Sequence, residues 1–151
     1  CATLVTGRPR WKPMRQRNIA ISTLFAVAAI YDGILGFAFL LAAPALFQRF
    51  DVAPPNHWGY VQFSAALLII FAAMFLNVAR RPRQNRNLIP YAVFFKIAYC
   101  AVVFGNWFTR GLPSMWIPLA FADAVFALLF AWAYWLLADD STADSTGAVS
   151  R

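Results

Sequence analysis

The sequence predicts an all-α fold, a four-transmembrane-helix bundle with both termini cytoplasmic, and three observations predict it. Of 151 residues, 62% are apolar and only 13% are charged, with no glutamate at all. So few charges cannot cover the surface of a water-soluble domain of this length. The charges also cluster, and between the clusters lie four apolar runs, each near the ~20 residues that a bilayer core requires. Finally, lysine and arginine are concentrated on one side of those runs, which fixes an orientation.

Residues 1–18 form a basic tail, with five basic residues in GRPRWKPMRQR. The first span is 19–43, and Pro44 is expected to end or kink it, because proline lacks the N–H and clashes with the preceding turn. The second span is 58–79. A basic linker, ARRPRQNR, leads to the third span, 88–108, and a tight turn at TRGLPS leads to the fourth, 116–138. Pro90 and Pro118 fall in first turns, where a missing N–H costs little. Residues 139–151 are a polar, acidic tail without periodicity, expected to be disordered. With the N-terminus inside, ten basic residues flank the spans on the cytoplasmic side and two, Arg49 and Arg110, on the outer side. Trp58, Trp107 and Trp116 then reach the outer interface, and Trp132 and Trp135 approach the inner one, as aromatic belts do. A cytoplasmic N-terminus argues against lipidation of Cys1. The expectation for that residue is a chain whose true start lies upstream.

Three ionisable residues lie inside spans: Asp32, Lys96 and Asp123. At a rise of about 1.5 Å per residue, both aspartates lie roughly 20 Å from the inner boundary and the Lys96 backbone roughly 12 Å. Its stem can cover several ångströms more. An unpaired charge at such depth costs about 2.5–3.5 kcal/mol or more, so Lys96 is expected to pair with Asp32, Asp123 or both. The alternative is a lysine that snorkels to the headgroups. Two carboxylates around one ammonium leave an excess negative charge if all ionise, so one acid is expected to hold a proton. Such a cluster serves either as an ionic staple or as a proton relay. Ala28 and Gly36 share a helix face with Asp32, Ala92 and Cys100 with Lys96, and Ala127 and Ala131 with Asp123. Small residues in these places let the backbones approach.

His57, Tyr60, Gln62, Asn106 and Trp107 all fall toward the outer side, as a shallow cavity or as ordinary interfacial residues. Arg15, Arg17, Arg80, Arg81, Arg83 and Arg86 are placed to touch lipid headgroups, so the net charge of +7 implies a membrane surface and no nucleic acid. One histidine and two cysteines cannot supply a conventional zinc site or a bis-histidine haem. No glycine-rich phosphate loop is present, and no Ser/His/Asp constellation can form with the histidine outside. No catalytic residue and no cofactor is predicted, although an apolar groove leaves room for a bound lipid or quinone.

The stretches YDGILGFAFLLAAP, FFKIAYCAVVF and GLPSMWIPLAFADAVFALLF resemble the DoxX-like superfamily of small four-helix bacterial membrane proteins. The resemblance covers roughly residues 19–137, and Gly33, Gly36, Lys96 and Asp123 match its recurring positions. It implies a multi-pass protein of the bacterial inner membrane and, for some relatives, a link to quinone-dependent redox chemistry. Three functions therefore stand open. One is a non-catalytic accessory or structural subunit of a larger membrane complex, with other membrane subunits as partners. Another is a small proton-coupled carrier or channel using Asp32, Lys96 and Asp123. The third is a quinone-associated redox component.

Overall fold

The fold is that of a computed structural model, which describes residues 11–148 and the side chains of 16–138. Residues 1–10 of the basic tail, Cys1 among them, the Arg15 side chain and residues 149–151 lie outside what is described. Four helices cross the apolar layer: α1 (Trp11–Arg49), α2 (Gly59–Arg80), α3 (Ile89–Thr109) and α4 (Trp116–Ala148), with one 3₁₀ turn, Arg86–Leu88, before α3. All four are long and apolar enough to span a membrane. Many large apolar side chains point outward, among them Leu41, Phe108 and Leu128, each more than 70% exposed, which suits lipid and not water.

The helix ends follow local chemistry. Pro82 forces Arg81 out of the helical region (φ −143°, ψ 71°) and so stops α2. Asn85 then folds back, its Nδ2 donating to the Asn77 carbonyl at 2.8 Å. At the end of α1, Asp51 adopts φ +52°. The Asp51 N–H reaches Gln48 O, and the Val52 N–H reaches Phe47 O at 2.9 Å. These bonds form a Schellman closure, with an aspartate in the left-handed position that glycine usually fills. Gly111, at φ +77°, reverses the chain between α3 and α4.

The helices overrun the expected spans in three places. α1 begins at Trp11, within the segment expected as a tail, because Pro13 occupies the first turn, where it is tolerated, and no breaker follows it. At its other end α1 kinks at Ala42 (φ −128°, ψ 20°) and continues past Pro44 to Arg49. The kink absorbs the proline, and the last turns are held because Ala43 and Phe47 are buried beside Trp58 and Trp116. α4 continues to Ala148, where residues 139–151 were expected to lack order. No proline or glycine interrupts it between Pro118 and Gly147, so leaving the apolar layer does not end the helix.

The bundle is built from two hairpins, α1 with α2 and α3 with α4, while α1–α4 and α2–α3 touch more sparsely. Along α1 the core face runs Ile21, Phe25, Ala28, Asp32, Gly36, Phe39, Ala43, Phe47, steps of three and four that follow the helical repeat. Toward the basic end, Phe25 stacks on Phe130 (4.4 Å, 10°) and Phe75 meets both edge-on. Toward the opposite end, Phe39 stacks on Trp116 (5.5 Å), and Phe47 meets Trp58 and Trp116 edge-on. The charged residues lie between these two aromatic layers.

Gly36 sets the spacing within the first hairpin. A Cβ there would fall 2.8 Å from Ile69 Cγ1 and 2.9 Å from the Ala65 carbonyl oxygen, whereas one at Gly33 would lie an ordinary 3.8 Å from Ala72 Cβ. Gly36→Ala is therefore expected to cost about 1–3 kcal/mol, as overpacking does, and Gly33→Ala less than about 0.5 kcal/mol. Unfolding of the two variants in detergent, titrated against a denaturing detergent, checks the contrast; equal stabilities would remove the close-approach argument.

Candidate functional site

The structure brings Asp32, Lys96 and Asp123 together. Each occupies a core-facing position of its own helix, α1, α3 and α4, so the rotation that buries the apolar neighbours also turns the three charges inward. Lys96 and Asp32 are fully buried and Asp123 is 4% exposed. The Lys96 ammonium donates to Asp32 Oδ1 at 2.7 Å, Asp32 Oδ2 at 2.9 Å and Asp123 Oδ1 at 2.8 Å. An ammonium has three N–H bonds, and each meets a carboxylate oxygen. Lys96 does not snorkel: its stem lies in the core, and its head is spent on the two acids.

Four aromatic rings surround the ammonium. Tyr31, Phe75, Phe95 and Phe126 have ring centroids 5.4–5.7 Å from Nζ, within the ~6 Å range of cation–π attraction. Sequence reasoning missed this wall. Its signal was present, since Tyr31 and Phe95 adjoin Asp32 and Lys96 in sequence and Phe126 follows Asp123 by one turn; Phe75 comes from α2, which carries no buried charge to draw attention. Phe71 stacks on Phe95 at 3.8 Å and extends the wall. The Tyr31 hydroxyl is buried and has no hydrogen-bond partner among the described residues. Cys100, half-buried one turn from Lys96, donates its thiol to the Ala120 carbonyl at 3.3 Å and links α3 to α4.

The other expected positions do not converge on the triad. His57 Nδ1 accepts the Gly59 N–H at 3.0 Å, and its ring meets Tyr60 edge-on. Gln62 is exposed. Asn106 Nδ2 donates to Val102 O within α3, and Trp107 packs beside Phe104 and Phe108. Among the described residues, no hydrogen bond or ring contact joins the His57 group to the Asn106 group. The basic residues gather at the end where α1 begins. Arg17 donates to Leu136 O at 2.6 Å. Arg86 donates to Tyr134 O at 3.4 Å and lies 4.3 Å from the Tyr134 ring centroid. Arg81 reaches Gln84, and Arg80 and Arg83 are exposed. Arg17 and Arg86 thus bind α4 from two sides rather than serving only the lipid surface.

A groove of about 310 Å³ opens between α1 and α4 near the basic end, lined by Gln16, Arg17, Ala20, Ile21, Trp132 and Leu136. It lies about 16 Å along α1 from Asp32, on the far side of the Phe25–Phe130 stack. Among the described residues, no three His, Cys, Asp or Glu side chains converge as metal ligands would. Comparison with known proteins found no matching family model, no matching curated protein and no matching solved structure.

Removing one partner of a buried ion pair leaves its mate uncompensated and costs about 3–5 kcal/mol. Lys96→Met should lose that much, and Asp32→Asn, which removes a two-oxygen contact, more than Asp123→Asn. The triple variant Asp32→Asn, Lys96→Met, Asp123→Asn should be less destabilised than Lys96→Met alone, since no charge is left unpaired. Unfolding midpoints of the four proteins in one detergent give the answer, and additive losses would argue against a coupled triad.

Proposed function

We propose that this chain is a small, non-catalytic accessory or structural subunit of a larger membrane complex, in which the charged triad fixes helix order and rotation. The observation that carries this reading is the saturation of Lys96: every ammonium N–H is engaged, and aromatic rings surround it. A carrier needs a polar route from both faces to its charged site. Toward the basic end that route meets the packed rings of Phe25, Phe75 and Phe130. Lysine and arginine placement supports cytoplasmic termini, and the resemblance to DoxX-like proteins supports the bacterial inner membrane as the location. The exposed apolar faces suit lipid and neighbouring membrane subunits.

A second reading, a proton-coupled carrier or channel, draws support from one observation: Asp123 is engaged through a single oxygen and keeps slight exposure. A quinone-associated redox role rests on the family resemblance alone. Purification from native membranes in a mild detergent separates these readings. The accessory role predicts stable co-purification with defined partner subunits, and no proton flux when the protein is reconstituted alone into liposomes carrying a pH-sensitive dye. A lone monodisperse oligomer with flux that Asp123→Asn abolishes would overturn it.

A further inference from the structure

The two hairpins meet sparsely along α1 and α4, and the rings that close this seam stop short of the basic end. Tyr31 meets Phe126 and Phe25 stacks on Phe130; beyond that pair the groove of about 310 Å³ opens. Its lining changes character with depth. At the mouth, Gln16 is exposed, and the Leu136 carbonyl holds the Arg17 guanidinium in place at 2.6 Å. Deeper lie Ala20, Ile21 and Trp132. Trp132 precedes Leu136 by one turn of α4, so it sits about 6 Å further into the apolar layer. Ile21 forms the floor, 1% exposed, while the Trp132 ring stands 54% exposed as one wall. Ala20 is exposed and offers only a methyl group opposite it.

A groove that opens on hydrocarbon at its deep end gives water no polar partners, and left empty it forfeits dispersion contacts along its walls. An alkyl chain suits it. The mouth asks for something else: a guanidinium fork matches phosphate oxygens, and a neutral carbonyl fixes the position of the fork without cancelling its charge. The wider end has the same sign. The segments that meet there carry ten basic residues against three aspartates, Asp139, Asp140 and Asp144. We propose that the groove holds one anionic phospholipid from the leaflet at the basic end. Its phosphate lies at Arg17 and Gln16, and the first carbons of one acyl chain lie between Ala20, Ile21 and Trp132. The site goes beyond the accessory role and does not depend on it. A lipid seated there joins the two hairpins at a level that the charged triad does not reach.

Native mass spectrometry of the full chain, extracted from its membrane in mild detergent, is expected to show one anionic phospholipid retained per chain. A neutral isoprenoid or a second copy of the chain retained in its place would overturn the proposal. A second measurement locates the lipid. Tryptophan fluorescence is followed in phosphatidylcholine vesicles titrated with phosphatidylglycerol brominated high on its acyl chains, and the Trp132 signal is the difference between the unaltered protein and Trp132→Phe. That signal should be quenched at a low, saturating fraction of the brominated anionic lipid, whereas brominated phosphatidylcholine should quench only in proportion to its share of the bilayer. Arg17→Gln should raise the half-quenching fraction about fivefold, the contribution of one basic side chain near an anionic surface. Ala20→Leu keeps every charge, fills the groove from an exposed position that folding does not need, and should raise it at least as far. Equal quenching by the two lipids, or no change in either variant, would each overturn the site.

Discussion

One ammonium holds this fold in its register. The two hairpins, α1–α2 and α3–α4, are each well packed, but they meet one another more sparsely. Inside a bilayer the hydrophobic effect does not press them together, because lipid tails are as apolar as the helix faces. Directional contacts must do so. Lys96 belongs to the second hairpin and is chelated by Asp32 of the first through both carboxylate oxygens, while Asp123 of its own hairpin takes the remaining N–H. The bond across the hairpins is thus the two-oxygen one, and the bond within the second hairpin sets the rotation of α3 against α4.

The surrounding packing makes that interaction possible. Gly36 lets α2 approach α1 until the Ala65 carbonyl would touch any added methyl group. The approach brings Phe75 into the wall around the ammonium and into the stack with Phe25 and Phe130 that covers the triad on its basic side. Low polarity around the triad strengthens its attractions and raises the cost of any missing partner. Close packing and ion pairing therefore depend on each other: a looser hairpin would admit water or lipid to the charges, and an uncharged layer would give the hairpins less reason to hold one rotation.

Much of this was legible in the sequence, for identifiable reasons. Span number followed from apolar length. The meeting of Asp32, Lys96 and Asp123 followed from the helix rise, because depth in a bilayer is one coordinate that residue counting supplies. Rotation about each helix is the other coordinate, and hydropathy reports it poorly here, since lipid-facing and core-facing positions are both apolar. For that reason the aromatic wall and the pairing into hairpins were not legible, although Gly36 and the small residues beside the charges hinted at close approach. Helix ends at Trp11 and Ala148 were misread because apolarity marks where the membrane ends and not where the helix does. Arg17 and Arg86, read as headgroup contacts, also donate to α4 carbonyls, contacts that depend on how closely α4 passes.

A buried ion pair is a poor source of raw stability, since well-packed apolar residues of similar volume often do as well or better. What the triad supplies is discrimination. Turning α1 by a single residue, about 100°, would carry Asp32 out of the core and leave Lys96 with one acid and two unmatched N–H bonds. An apolar layer would tolerate the same turn by repacking. The penalty falls on wrong arrangements far more than any gain falls on the right one, and it falls on each of the three helices that carry a charge. α2 carries no buried charge, its Arg80 being exposed at the helix end, and its place is set instead by the tight fit at Gly36. Four helices are thus positioned by two devices of opposite character, a charge cluster that forbids rotation and a missing side chain that permits contact.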